Sequence, residues 1–196
     1  HFADKTVLLT GASSGIGAEL ARELAARGSR LILLGRRKKV LEAMAADLPA
    51  AQGSHLAVTI DLANPADIER LGDILVKSSI TPEILILNAG ISSGFSAQAI
   101  DMEKIEELFQ VNFFSVVKLI QLFLPGMMKR KSGWIAVTSS LAGYRGMPSS
   151  ADYAASKAAL SVFAESMRLD LWQSGIGVTI ISPGFVRTPM TANHQF

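Results

Sequence analysis

The sequence predicts an α/β fold, a doubly wound parallel sheet with helices on both faces. Two observations predict it. Short apolar segments alternate with longer helical patterns along the 196 residues, as expected for β-α units joined by right-handed crossovers. The short segments are almost continuous in Val, Ile and Leu, with little polar alternation, and this is typical of strands buried on both faces of a parallel sheet.

The predicted elements follow one another in regular order. Strands are predicted at residues 6–10, 30–35, 55–61, 84–88, 134–139 and 178–182. Helices are predicted at residues 16–27, 38–47, 65–77, 102–129 and 153–173. Asn64 and Pro65 mark a helix start, since asparagine caps helix N-termini and proline suits the first helical position. No linker-like segment, repeat or low-complexity tract interrupts the order, so we expect one domain over residues 1–196.

Composition excludes several classes of function. Hydrophobic residues make up 49% of the chain and charged residues 18%, which indicates a well-buried globular protein rather than a disordered one. A net charge of +2 gives no electrostatic reason to bind nucleic acid or an anionic membrane. The absence of cysteine excludes disulfides, thiol catalysis and thiolate metal sites, and no metal site is predicted.

The sequence contains no segment that is typical of a signal peptide or a membrane span. Its longest apolar stretch, residues 111–128, is interrupted by Asn112, Lys118, Gln121 and Pro125. We therefore expect a cytoplasmic protein without membrane association.

A glycine-rich turn lies between the first predicted strand and the first predicted helix. Gly11, Gly15 and Gly17 have the spacing G-x-x-x-G-x-G. A turn in this place lets backbone amides and the positive end of a helix meet a phosphate group, although glycines also serve ordinary tight turns. Its candidate cofactor-binding residues are Gly11, Ser13, Ser14, Gly15, Ile16 and Gly17.

Cations follow the second predicted strand. In dinucleotide-binding folds an acidic residue here would bind the ribose 2′-hydroxyl of NAD. This chain has Arg36 and Arg37 instead, and a guanidinium can pair with the 2′-phosphate of NADP. A solvated helix start and a nucleic-acid patch are the alternatives. The sequence therefore favours NADP(H) over NAD(H).

Polar residues also end the third and fourth predicted strands. Asp61 and Leu62 close one, and Asn88, Ala89 and Gly90 close the other. Asp and Asn often cap the segment that follows. Because ligands of open α/β sheets lie beyond the carboxyl ends of the strands, we predict that these residues contact the cofactor.

Tyr153 and Lys157 lie four residues apart on a predicted helix and therefore share one face. Two charges about 4 Å apart at an effective dielectric constant of ~20 interact by ~4 kcal/mol. That energy corresponds to roughly three pKa units in favour of the phenolate. We therefore expect Lys157 to lower the pKa of Tyr153 and make it an acid–base catalyst.

The ordered set of motifs resembles the short-chain dehydrogenase/reductase family. The motifs that carry the resemblance are the 10–17 turn, Asp61, Asn88-Ala89-Gly90, Asn112, Ser140, Tyr153-x-x-x-Lys157 and Pro183-Gly184. They cover nearly all of the chain in the expected order. The resemblance implies a Rossmann-like fold and an enzyme that moves a hydride between a nicotinamide cofactor and a carbonyl or secondary alcohol.

The resemblance also implies roles for single residues. Tyr153 would exchange a proton with the substrate oxygen, and Ser140 would hydrogen-bond that oxygen. Lys157 would hold the nicotinamide ribose, and Asn112 would support a water that relays protons from Lys157. Asn88 would line the cofactor ribose and Asp61 the adenine. The implied nicotinamide border comprises Pro183, Gly184, Val186 and Thr188.

Some expectations stay open at the level of sequence. A nucleotide-sensing or scaffold protein without turnover is the alternative function, and a sugar-nucleotide epimerase is a weaker one. The apolar 111–128 stretch and the alanine-rich helix after it predict a homodimer or homotetramer. Members of the family continue with a mobile helical segment over the substrate and a final strand, so we expect the chain to continue beyond Phe196. The substrate is expected to be a neutral, moderately hydrophobic small molecule.

Overall fold

A parallel sheet of six strands runs through the part of the chain that the computed structural model describes, residues 2–49 and 53–192. The strands are β1 (Thr6–Thr10), β2 (Arg30–Gly35), β3 (Leu56–Thr59), β4 (Ile84–Leu87), β5 (Gly133–Thr138) and β6 (Ile176–Ile181). Their order across the sheet is β3-β2-β1-β4-β5-β6. The order reverses between β1 and β4, which is the point where ligands bind in open sheets of this kind.

Helices connect the strands. They are α1 (Gly15–Ala26), α2 (Lys38–Asp47), α3 (Pro65–Lys77), α4 (Met102–Phe109), α5 (Ser115–Arg130) and α6 (Ala151–Asp170). A π-helical segment, Gln110–Phe114, joins α4 to α5, and 3-10 turns occupy Leu141–Gly143 and Pro189–Thr191. The predicted doubly wound parallel sheet is confirmed, and α2 and α3 have the predicted bounds.

The two faces of the sheet carry two apolar layers, because successive side chains of a strand point to opposite faces. Leu9 and Leu33 pack with α1 and α2 on one face. Leu8 and Leu85 pack with α3, α5 and α6 on the other face. Each of these four leucines is fully buried. This two-sided burial explains why the strands have almost continuous apolar sequences.

Four strands, β3 to β6, end one or two residues earlier than predicted. The hydrogen bonds that follow β3 and β4 show why. Strand β3 stops at Thr59, and the amide of Ile60 then donates to the Gly35 carbonyl. Strand β4 stops at Leu87, because the amide of Asn88 donates to the hydroxyl of Thr10 instead of a ladder carbonyl, at 2.9 Å.

The helix predicted over residues 102–129 is interrupted by the π-helical segment. The amide of Ser115 bonds the carbonyl of Gln110, five residues back, and its hydroxyl donates to the carbonyl of Val111 at 2.6 Å. One extra residue is thereby accommodated in the turn that carries Asn112. Such π-bulges are frequent at functional sites, and an apolar sequence pattern does not reveal them.

The continuous helical stretch Met102–Arg130 is long and apolar enough to cross a membrane, by length and composition only. Val116, Leu119, Ile120 and Met127 of this stretch are buried in the core layer beneath the sheet. The expected lack of membrane association stays a prediction.

Two neighbouring residues of α3, one buried and one exposed, allow the assignment of the core to be tested. Leu75 is 2% exposed and Val76 is 79% exposed. We expect Leu75→Ala to lower the free energy of unfolding by about 2–5 kcal/mol because it leaves a cavity. Val76→Ala, the control, should change it by less than ~0.5 kcal/mol. Urea unfolding measures both, and equal losses would contradict the assignment.

Candidate active site

A cavity of about 520 Å³ opens along the carboxyl edge of the sheet. Its walls come from the segments that follow the six strands and from the first turns of α6. The lining residues are Gly11, Ser13, Ser14, Gly15, Ile16, Gly35, Arg36, Arg37, Ile60, Asp61, Leu62, Asn88, Ala89, Gly90, Ile91, Val111, Thr138, Ser139, Ser140, Tyr153, Lys157, Pro183, Gly184, Val186, Thr188, Pro189, Met190 and Thr191. The cavity therefore extends from the glycine-rich turn to the predicted catalytic residues.

The glycine-rich turn needs its glycines. Gly11 and Gly15 have φ values of +67° and +56°, in the left-handed region that side chains with a Cβ rarely adopt. At Gly17 a Cβ would overlap the carbonyl oxygen of Gly11. Ser14 precedes α1 without a side-chain capping hydrogen bond. The first amides of α1 thus face the cavity without a side-chain acceptor at the N-cap, which fits a phosphate group.

The cations after β2 differ in their contacts. The Nε and Nη2 atoms of Arg37 both donate to the hydroxyl of Ser13, at 3.1 and 2.8 Å. Arg36 lines the cavity beside them. Across the same end of the cavity, the carboxylate of Asp61 accepts from the amide of Ala63 at 3.0 Å. Asp61 therefore caps its own turn and also lines the cavity.

Thr10 joins the glycine-rich turn to the end of β4. Its hydroxyl accepts hydrogen bonds from the amides of Asn88 and Ala89, each at 2.9 Å. The side-chain amide of Asn88 donates to the Thr10 carbonyl at 3.3 Å, and its oxygen accepts from the hydroxyl of Thr138 at 3.4 Å. These bonds link β1, β4 and β5 at the switch point of the sheet.

Lys157 points from α6 into the interior beside this edge. It is 2% exposed, and its ammonium donates to the carbonyl of Thr138 at 2.8 Å. Asn112, fully buried, holds both peptide groups of Ile91: it accepts from the amide at 2.8 Å and donates to the carbonyl at 3.0 Å. A Cβ at Gly90 would lie 3.3 Å from both the Asn112 oxygen and the Lys157 nitrogen. Only glycine leaves those two groups undisturbed.

Ser140 and Tyr153 meet at the mouth of the cavity. Ser140 caps the 3-10 turn that follows β5, and its hydroxyl oxygen accepts from the amide of Ala142 at 3.1 Å. The same side chain hydrogen-bonds the phenol of Tyr153. The Lys157 ammonium lies 5.7 Å from the centre of the Tyr153 ring. The three side chains thus occupy one end of the cavity.

A profile of the short chain dehydrogenase family matches residues 5–195. The chain belongs to this family. One relative, an uncharacterized oxidoreductase of Myxococcus xanthus, is 37% identical over 193 residues, which cover 98% of this chain and 76% of the relative. The chain spans 59–63% of the length of the four vertebrate relatives it matches, each a dehydrogenase/reductase SDR family member 7B.

Solved structures of other short chain dehydrogenases have the same fold. The enzyme of Sphingobium yanoikuyae in complex with NADPH is 34% identical with a TM-score of 0.86, and the match covers 96% of this chain and 73% of that one. An enzyme of Burkholderia phymatum in complex with NAD is 28% identical with a TM-score of 0.89, over 97% of this chain and 69% of that one. The two structures hold different dinucleotides.

In this member of the family, the residues predicted from the sequence converge on one cavity. All of them line it except Gly17 and Asn112. Gly17 lies behind the turn, where it allows α1 to approach Gly11. Asn112 does not line the cavity itself. It hydrogen-bonds Ile91 and lies close to Gly90, and both of these residues line the cavity. The assignment of single residues to cofactor or substrate stays a prediction.

Sequence reasoning missed several residues of the site. Thr138 ends β5 and Ser139 follows it, beside Ser140. This signal, polar residues at the end of a strand, was available in the sequence. Ile91 and Met190 carry no such signal, because isolated apolar residues in loops have no pattern that separates them from others.

The expected acidification of Tyr153 is wrong for the chain without ligand. Burial raises the pKa of the Tyr153 phenol, and the hydrogen bond from Ser140 opposes that rise without overcoming it. Burial also lowers the pKa of Lys157, from 10.5 to about 8. The helical spacing correctly placed the two residues near one another. It did not reveal that the ammonium is desolvated and bonded to the Thr138 carbonyl.

The depressed pKa of Lys157 has a consequence for stability. Between about pH 8 and pH 10.5 the unfolded chain keeps a proton on Lys157 that the folded chain has lost, so stability rises with pH across this window. The rise amounts to roughly 3 kcal/mol at about 1.4 kcal/mol per pKa unit. We expect Lys157→Met to lack it in urea unfolding as a function of pH. The exposed Lys129→Met serves as the control, and the same slope in both variants would contradict the assignment.

Proposed function

We propose that this chain is an NADP-dependent oxidoreductase that interconverts a carbonyl compound and an alcohol. The convergence of Ser140, Tyr153 and Lys157 at one end of the cavity, with the glycine-rich turn at the other end, carries the proposal. A nicotinamide dinucleotide supplies or accepts the hydride in such a reaction. The chain itself has to bind the dinucleotide, orient the substrate and move a proton.

The proton comes from Tyr153 in the direction of reduction. A phenol with a raised pKa is fully protonated at neutral pH, so it is ready to donate its hydrogen to a carbonyl oxygen as negative charge develops there. In the direction of oxidation, the same oxygen takes the proton of the alcohol. The hydroxyl of Ser140, which contacts the phenol, is placed to bind the same substrate oxygen and fix its position.

Lys157 and Asn112 support this proton donor. The ammonium of Lys157 contributes positive charge behind the Tyr153 ring, 5.7 Å from its centre, and so favours the phenolate that forms when the proton leaves. Asn112 fixes the Ile91 segment that borders Lys157. A proton relay through Lys157 and Asn112 remains part of this proposal.

The cavity fits a dinucleotide phosphate and favours NADP. The uncapped first amides of α1 and the left-handed Gly11 and Gly15 form a cradle for a pyrophosphate. The 2′-phosphate of NADP would meet Arg36, with Arg37 held beside it by Ser13. No carboxylate follows β2 directly, where an NAD-binding chain would place one. Because related enzymes hold either dinucleotide, the preference rests on these arginines.

The substrate end of the cavity favours a neutral, moderately hydrophobic molecule. Leu141, which follows Ser140 in the chain, is 57% exposed, and Met190, which lines the cavity, is 48% exposed. The expected homodimer or homotetramer also stays a prediction. It concerns the exposed apolar side chains of the 111–128 stretch and of α6, among them Phe114 and Val162.

Tyr153→Phe tests the proposed reaction. The change removes the donated proton and little else, so we expect kcat for carbonyl reduction to fall by about 10²–10⁴-fold, while NADPH binding is unchanged. A panel of ketones and aldehydes, followed by nicotinamide absorbance, measures turnover, and NADPH fluorescence measures binding.

Tyr144→Phe is the matched control, because the chain contains two tyrosines. Tyr144 is 65% exposed, and the variant should keep most of its turnover. A protein that binds NADPH but reduces nothing, with or without Tyr153, would favour the nucleotide-sensing alternative.

Arg36→Asp tests the cofactor preference. Loss of a charge-assisted hydrogen bond worth about 1.5–3 kcal/mol should weaken NADPH binding by roughly 10–100-fold and shift the preference towards NADH. Titration of both dinucleotides measures the change. Lys39→Asp makes the same change of charge three residues further on, outside the residues that line the cavity. Equal effects of the two variants would overturn the assignment of Arg36.

A further inference from the structure

A buried carboxylate lies directly before Tyr153 in the chain. Asp152 is 5% exposed and belongs to the first turn of α6. A buried carboxylate needs partners to offset its lost hydration, and the positive end of the helix supplies part of this. One oxygen of Asp152 accepts from the amide of Tyr153 at 2.7 Å. The other oxygen accepts from the hydroxyl of Ser93.

Ser93 lies far away in sequence, in the segment of residues 88–101 that connects β4 to α4. The same segment is held two residues earlier, where Asn112 bonds both peptide groups of Ile91. Ile91 itself lines the cavity. We call the two attachments, Ile91 to Asn112 and Ser93 to Asp152, the 91–93 clasp.

The hydrogen bonds of the 91–93 clasp also reach the backbone amide and the backbone carbonyl of Tyr153. The side-chain amide of Asn112 also donates to the hydroxyl of Ser156 at 3.1 Å, and that hydroxyl donates to the carbonyl of Tyr153 at 2.8 Å. Ser156 is fully buried. The backbone amide of Tyr153 thus bonds Asp152, and its backbone carbonyl bonds Ser156. Both peptide groups of the proposed proton donor belong to one closed set of hydrogen bonds.

From this arrangement we propose that Asp152 and Ser93 are positioning residues for the reaction. They fasten the cavity wall that contains Ile91 to the turn of α6 that carries Tyr153, so that the phenol and the substrate keep a fixed distance. Neither side chain exchanges a proton with the substrate. The inference rests on the proposed function, because it assigns these residues a share in how accurately Tyr153 is placed.

Four variants separate positioning from stability. Asp152→Ala removes both contacts, and Ser93→Ala removes only the contact to the wall. Asp152→Asn keeps an acceptor for the Tyr153 amide and a polar group for Ser93 without the charge. Ser96→Ala makes the same substitution in the same segment, where the hydroxyl of Ser96 bonds only its neighbour Gln98 in the structure described.

We expect Asp152→Ala to lower kcat by about 10–100-fold, since a displacement of about 1 Å at a reacting group costs up to ~10²-fold. Ser93→Ala should lower kcat less, and the double variant should be no worse than Asp152→Ala, because the two residues form one contact. Asp152→Asn should recover most of the loss. NADPH affinity should stay unchanged in all of them.

Hydrogen exchange, which needs no substrate, is the second measurement. Amides of residues 88–101 should exchange faster in Ser93→Ala and Asp152→Ala than in the wild type or Ser96→Ala. Unchanged exchange in this segment, or losses of kcat that multiply in the double variant, would overturn the clasp. A wild-type chain that reduces no carbonyl would refute the proposed function instead, and the exchange result would still decide whether the clasp exists.

Discussion

The buried ammonium of Lys157 is the constraint on which the site depends. A charged group that is 2% exposed loses nearly all of its hydration, and the Thr138 carbonyl at 2.8 Å offsets part of that loss. The bond ties α6 to the end of β5. Because Tyr153 precedes Lys157 by one helical turn, the same bond determines where the phenol lies relative to the cavity. Burial then decides the ionisation of both groups, raising the pKa of the phenol and lowering that of the ammonium.

The parallel sheet brings the other residues of the site close to Lys157. Parallel strands end at one edge, so segments that are distant in sequence meet there without long connections. Thr10 bonds the amides that follow β4, and Asn112 bonds the peptide groups of Ile91. Beyond the end of β4, hydrogen bonds to polar side chains thus take the place of hydrogen bonds to the neighbouring strands. The glycine-rich turn and the helix that carries Tyr153 are linked through these bonds.

Local patterns predicted much of the fold. Helix α3 has the predicted bounds because its start carries local signals, the Asn64 cap and Pro65. Helix α2 also has the predicted bounds, although no side chain caps its start. The bounds of β1 and β2 were also predicted correctly. The ends of β3 to β6 and the break between α4 and α5 were missed, because the apolar sequence pattern does not mark them. The Ser115 amide bonds the Gln110 carbonyl within a stretch whose apolar pattern suits an uninterrupted helix equally well.

The residues of the site also divide into those that local patterns predicted and those that they did not. Tyr153 was found because its spacing from Lys157 suggests a chemistry, and Ser140 was found through the family resemblance. Asp152 was missed although it neighbours Tyr153, because its partner Ser93 is 59 residues away and no spacing rule joins them. The sign of the Tyr153 pKa shift was also missed. Charge spacing along a helix is visible in a sequence, whereas the loss of solvent around a side chain is not.

One titration tests the central claim, that burial rather than the nearby ammonium governs Tyr153 in the free protein. In Tyr144→Phe, Tyr153 is the remaining tyrosine, so a single ¹³C-labelled ring carbon reports its ionisation by NMR. The account predicts a midpoint above the value of about 10 for an ordinary tyrosine, or no ionisation while the chain remains folded. A midpoint clearly below that value would contradict it and would restore the acidified phenol that the helical spacing alone suggests.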